Sequence, residues 1–164
     1  MKPRKRVIEG HDEALDVLAR CTTVRIGMFD GTKPYVVPVS FGMEVKEGLP
    51  VAYFHCGKRG MKVSVLTGHP EVCVEADLFY SYELLEQGID TRYESVVGFG
   101  RCSLAEGEER IHGLELLREH CGYAGHPVDV CLGLPITNAC KVALESITGK
   151  RTLPGFWGQA QRMA

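Results

Sequence analysis

Along residues 11–21 the apolar positions recur at helical spacing, with Ala14, Leu18 and Cys21 on one face. Asp12 and Glu13 suit the positive N-terminal end of a helix there. The period then shortens to that of strands. Residues 22–29 and 35–41 read as two strands joined by Asp30-Gly31-Thr32-Lys33. Asp-Gly between apolar runs is a hairpin signal, because glycine takes a positive φ freely. A third strand, residues 51–55, follows the Glu47-Gly48 turn, and Met61, Val65 and Leu66 begin a short helix that stops before Gly68-His69-Pro70. Residues 71–76 alternate again. Residues 78–92 have mixed periodicity and predict no element. Residues 94–104 form a β run broken by Gly98 and Gly100, the mark of a bulge or of a close backbone approach. Residues 106–121 are the clearest helix, acidic early and with Ile111, Leu114, Leu117 and Cys121 on one face. After a loop over 122–135, residues 139–147 read as the closing strand.

Six short strands and three helices, linked by hairpin-type connections, predict a mainly β fold: an antiparallel barrel with peripheral helices. The regular strand–helix alternation of a doubly wound parallel sheet is missing. The 164 residues suit one domain spanning 1–164, large enough to bury a core without a metal or disulfide staple. Residues 1–9 read as a basic N-terminal tail and 151–164 as a C-terminal tail.

Composition then narrows the function classes. A net charge of −2 argues against a polyanion-binding surface, and the short basic run Lys2, Arg4, Lys5 and Arg6 reads as a solvated tail. No nucleic-acid partner is expected. The seven cysteines are odd in number, contain no C-x-x-C, and sit partly inside apolar runs, as free buried thiols do. No signal peptide is legible and no apolar run approaches the ~18 residues of a membrane span. These features predict a cytoplasmic protein without a membrane partner.

Three segments could carry chemistry. The first is Tyr53-Phe54-His55-Cys56-Gly57-Lys58-Arg59-Gly60-Met61-Lys62, where a strand ends, a basic glycine loop follows and a helix starts. Glycines admit a close ligand, helix-start amides point at an anion, and the cations neutralise it, so the segment suits a phosphate. It serves equally as a basic turn on a solvated edge. It is not a P-loop, since G-x-x-x-x-G-K-[S/T] is absent. The second segment is the strand around Val37-Pro38-Val39-Ser40, where Pro38 cannot donate a ladder bond and so belongs to an edge or bulge. Its free backbone groups could meet the rim of a heterocycle, although an ordinary edge strand has the same pattern. The third is Tyr93-Glu94-Ser95-Val96-Val97-Gly98-Phe99-Gly100-Arg101, a glycine-punctured strand that means little alone.

Taken in order and spacing, these segments resemble the pyridoxamine-5′-phosphate-oxidase-like superfamily of FMN-binding split barrels, and more closely its nitroimidazole-resistance (Nim-type) branch. The likeness runs through Pro34-Tyr35-x-x-Pro38-x-x-Phe41, Tyr53-Phe54-His55-x-x-x-x-Gly60-x-Lys62, Tyr93-x-Ser95-Val96-x-Gly98-x-Gly100 and the closing Ile147-Thr148-Gly149-Lys150. It spans roughly residues 4–150. The resemblance implies FMN as cofactor and a homodimer with the flavin at the interface. Val37, Pro38, Val39 and Ser40 would line the isoalloxazine largely through backbone. His55, Gly60 and Lys62 would hold the phosphate, with Cys56, Gly57 and Met61 in the same loop. Ser95 would approach the cofactor, from the second subunit if the site is shared. The arginine-rich substrate-phosphate pattern of true pyridoxamine phosphate oxidases is missing near the C-terminus, which leaves a pocket suited to uncharged flat molecules.

The resulting expectation is an FMN-dependent reductase acting on small nitroaromatic or quinone-like acceptors. His55 is the one titratable candidate for proton donation. No G-x-G-x-x-G is present, so NAD(P)H would bind transiently at the flavin. A non-catalytic flavin-binding or electron-carrier protein is the rival class, and a split barrel with a lapsed site is the third. His112 and His120, eight residues apart on the long helix, read as surface residues because no i, i+4 His/Glu pair frames a metal. Cys56 beside Lys58 and Arg59 would have a lowered pKa, but a phosphate bound there would cancel the effect, so it reads as a structural thiol. Trp157 reads as a C-terminal anchor or, alternatively, a cap over a flavin.

Overall fold

A computed structural model describes residues 6–86 and 88–152. The elements are β1 (Val7–Ile8), α1 (His11–Arg20), β2 (Val24–Phe29), β3 (Pro34–Val39), β4 (Gly42–Lys46), β5 (Leu49–Gly57), α2 (Met61–Gly68), β6 (Glu71–Leu85), β7 (Gly88–Ala105), α3 (Gly107–His120) and β8 (Thr137–Thr152). The eight strands form a single antiparallel sheet in the order β3-β2-β6-β7-β8-β5-β4, with β1 pairing β8 off that path. The sheet curls around one core, and its two ends, β3 and β4, are adjacent in sequence but not hydrogen-bonded to each other among the described residues. That seam makes it a split barrel.

Alternation decides what enters the core. Val24, Ile26 and Met28 of β2 point inward against Val72, Val74 and Ala76 of β6, while Arg25 and Gly27 point outward. From β5, Ala52, Phe54 and Cys56 join that interior; Val51 and Tyr53 face the other way and pack under α3 with Leu114 and Leu117. The sheet is therefore buried on both faces where α3 lies and on one face elsewhere.

The β2–β3 hairpin forms as its sequence predicts. Asp30 Oδ1 accepts from the amides of Thr32 and Lys33 at 2.9 Å each, which closes the turn. Pro38 lies on an edge strand, opposite Arg25. Gly98 and Gly100 fulfil both meanings given to them: the β7–β8 register shifts at Phe99/Gly100, and a β-carbon at Gly100 would stand 2.1 Å from the Ala143 carbonyl oxygen.

Four expectations need correction. Residues 42–46 are a strand, which the pattern did not announce. Residues 78–92 are not irregular: they complete a hairpin arm in which Phe79 pairs with Tyr93 and Leu84 with Ile89. The N-terminal tail is shorter than residues 1–9, since Val7 and Ile8 pair with Lys150 and Gly149 and Ile8 is buried. Arg151 and Thr152 likewise belong to β8 rather than to a tail, while Trp157 and residues 153–164 lie outside the described residues.

Candidate functional site

The basic loop sits where β5 runs into α2. Its glycines are functional in the geometric sense: Gly60 has φ +126°, a conformation that L side chains rarely adopt, and a β-carbon there would meet nothing within 4 Å. Ser64 donates its amide and its hydroxyl to the Gly60 carbonyl, but no side chain caps the start of α2 and its first turn holds no acid. The helix-start amides are thus left to an external acceptor. Among the described residues, Lys58, Arg59 and Lys62 form no ion pair, and the Lys62 ammonium lies 5.5 Å from the Phe54 ring centroid. Three cations without an ion pair, around uncapped amides and an open glycine, fit a phosphate.

His55 and Gly57 flank this loop with exposed side chains or backbone, and Met61 is exposed as well. Cys56 differs. Its thiol points into the barrel, 3.4 Å from Cys140 Sγ, so the residue can offer a ligand main-chain atoms alone. The Cys140 hydrogen bond, and then burial, push the Cys56 thiol far up, with Lys62 opposing weakly. The thiol is structural, as expected, and the strand alternation rather than a phosphate is what keeps the sulfur from Lys58 and Arg59.

Val37 and Val39 face the core side of β3, whereas Pro38 and Ser40 are exposed. Ser95 does not join the loop. It sits on the outer face of β7, between Asp77 and Lys150 on the neighbouring strands. That face carries Val36, Phe99, Tyr82, Leu84 and Ile89, all more than half exposed. His112 and His120 are structural. His112 bonds Glu44 at 3.1 Å and His120 bonds the Cys21 carbonyl at 2.7 Å. No group of His, Cys, Asp or Glu among the described residues could hold a metal.

Beside His55 opens a cleft of about 380 Å³ between β5, α3 and the segment before β8. Arg110 builds its far wall by donating to the carbonyls of Leu134 and Thr137. Arg118 and His126, which sequence reasoning left aside, line it together with His55. Arg118 follows Leu114 and Leu117 on one helical stripe, a signal that identifies the helix face but not the cleft.

Residues 10–151 match the family described as pyridoxamine 5′-phosphate oxidase. The chain belongs to that family. A candidate 5-nitroimidazole antibiotic resistance protein from Bacteroides thetaiotaomicron is similar in structure, with a TM-score of 0.75, 26% identity, and coverage of 88% of this chain and 85% of that one. An FAD-binding protein of Mesorhizobium loti aligns at TM-score 0.66 and 20% identity, covering 90% and 97% of the two chains. An FAD and heme binding protein of Mycobacterium smegmatis aligns at 0.75 and 15%, covering 90% and 73%. The last two share the split-barrel fold. No curated protein matches the chain in sequence. No helix among the described residues is long and apolar enough to cross a membrane.

Proposed function

We propose that this family member binds FMN and works as a reductase of small nitroaromatic or quinone-like acceptors. The observation that carries the reading is the cluster of unpaired cations Lys58, Arg59 and Lys62 around Gly60 at an uncapped helix start. When bound, FMN would supply the electron transfer, as flavins do in proteins that position them. The chain's own task is placement. Lys62 and the α2 amides hold the phosphate, the backbone of residues 37–40 on the edge strand β3 meets the ring system, and the main chain of Cys56 and Gly57 shapes the floor. His55, exposed at the end of β5, is the candidate proton donor to a reduced acceptor. The flavin-binding descriptions of structural relatives and the nitroimidazole-resistance description of one of them support this reading.

The site is shared between two copies of the chain in this proposal. The outer face that bears Ser95 also exposes Phe99, Val36, Tyr82, Leu84 and Ile89, more apolar surface than a solitary chain needs to show water. A homodimer closed through that face would bring Ser95 to the flavin of its partner. NAD(P)H would serve as a transient donor, and the protein would act in the cytoplasm.

Two measurements test the proposal. Lys62→Ala should weaken FMN binding by about 1.5–3 kcal/mol, the range for a hydrogen bond to a charged group; unchanged affinity by titration would put the phosphate elsewhere. Anaerobic reduction of the purified flavoprotein, followed by stopped-flow mixing with a nitroimidazole, should give reoxidation faster than free reduced FMN. A rate equal to that of free FMN would leave the electron-carrier reading. A rate enhancement that survives His55→Ala would keep the reductase and remove histidine from its mechanism.

A further inference from the structure

We infer that the cleft beside His55 is an anion-binding site, built for a carboxylate or phosphate carried on a flat apolar body, with Arg118 as its clamp. The inference goes beyond the flavin reading and does not require it. Its central observation is Arg118. Among the described residues, the guanidinium Nε and Nη1 are shielded from solvent and have no hydrogen-bond acceptor. Neither does Arg118 enter any ion pair there. Arg118 as a whole is half-buried, so its charge still meets solvent, and a cation without a partner in the fold at the wall of a cleft can take an external anion.

The surroundings say what kind of anion Arg118 could meet. His55 and His126 share the cleft with Arg118, and none of its lining residues is Asp or Glu. Apart from the Cys131 thiol, the ionisable side chains there are all bases. The remaining wall is largely aliphatic, including Leu114, Val128 and Leu134. A volume of about 380 Å³ lies near the low end of the ~300–1,000 Å³ typical of small-molecule sites, which suits one or two rings. Guanidinium recognises carboxylate and phosphate through paired, planar hydrogen bonds, and does so most strongly where water is excluded. The cleft also adjoins the phosphate loop directly, since Gly57 and Thr137 are cross-strand partners and Thr137 lines the cleft. An anionic ligand could thus arrive in either of two forms: a free aromatic carboxylate, or the adenylate part of a nucleotide that extends from the loop.

The test uses the purified full-length protein with four probes in two neutral–anion pairs. These are benzoate against benzamide, and AMP against adenosine. Calorimetric titration should show at least a tenfold preference for the anion in one pair, and the responding pair identifies the source. The same ligand should shift the side-chain NMR signals of His55 and His126. Arg118→Met should abolish the preference while leaving the melting temperature of the ligand-free protein unchanged or higher, because Arg118 has no acceptor or ion-pair partner to lose among the described residues. A purely structural arginine would lower it. If R118M fails to fold, Arg118→Lys, which keeps the charge but loses the planar fork, should reduce the preference by several-fold. No anion preference in either pair, or a preference that survives these substitutions, would overturn the inference.

Discussion

The two outer faces of the one sheet are finished in opposite ways. Over β4 and β5 the sheet is sealed by α3 at backbone distance, which glycine permits on both sides. A β-carbon at Gly42 would lie 2.2 Å from main-chain atoms of Leu116 and Leu117, and one at Gly113 would lie 2.4 Å from the Tyr53 ring. Polar groups at the edge of the helix are paired. The Tyr53 hydroxyl donates to Glu44 at 2.9 Å, Lys46 and His112 bond the same carboxylate, and Lys141 pairs with Glu109 at 2.8 Å. Burial alone would raise the Glu44 carboxyl, but the hydrogen bonds from Lys46, His112 and Tyr53 outweigh it and hold it at about 2. Tyr53 is pushed up to about 12 by burial and by Glu44. Over β2, β6 and β7 the corresponding surface has no helix. Phe99 and Val36 stand 58% and 59% exposed, Leu84 and Ile89 are exposed farther along the hairpin arm, and Arg25 pairs with Glu75 and Asp77 between them. One face has completed its packing within the chain; the other stands open.

The largest effect should come from one methyl group placed on each face. Gly42→Ala drives a β-carbon into the α3 backbone, which cannot yield as a side chain would. It should lower stability by about 3 kcal/mol, the upper part of the range for overpacked cores. Gly27→Ala on the open face meets Cys73 atoms no nearer than 3.4 Å, an ordinary contact, and should change stability by no more than about 0.5 kcal/mol. Urea unfolding of the two variants checks the pair, and similar losses would erase the contrast between the faces.

Next in size is association. Phe99→Glu places a charge in the middle of the open face. It should weaken the proposed homodimer by about 2 kcal/mol, the scale of an interface hot spot, while leaving the unfolding of the separated chain nearly unchanged. Sedimentation equilibrium measures this. A chain that is monomeric before the substitution would show that the open face serves another partner or none.

The smallest effect concerns protons under α3. Glu44 titrates at about 2 in the folded chain against an ordinary 4.5. The folded state therefore binds fewer protons, and the stabilisation is fully present above about pH 4.5 and lost as pH falls toward 2. Glu44→Gln should flatten that segment of the stability–pH curve, removing about 1–2 kcal/mol at neutral pH once solvent screening of this partly exposed cluster is allowed for. Denaturant midpoints between pH 2 and 6 would show it. A slope unchanged by the substitution would assign acid sensitivity to other carboxylates.

Local pattern alone determined α1, α3, the Asp30-Gly31 hairpin, the limits on Pro38 to an edge or a bulge, and the β5–loop–α2 segment that suits a phosphate. Each is written in adjacent residues: a helical stripe, a turn pair, a missing amide, glycines beside lysines. Tertiary structure decided the rest. Residues 42–46 are short and mixed in polarity, and they become a strand because β5 offers its edge from Gly42↔Tyr53 to Lys46↔Leu49. The arm over 78–92 hid its period because the usual roles of its faces are exchanged. Asp90 and Arg92 are buried and ion-paired, while Tyr82, Leu84 and Ile89 stand outside, so polarity no longer reports burial. The inward turn of Cys56 depended on which side of β5 met the core. Arg118 acquired its meaning from the cleft, which a helix stripe, a loop histidine and the end of β5 form only after the sheet has closed. Charges and turns act over a few residues of chain, whereas pockets and open faces depend on contacts between residues far apart in sequence.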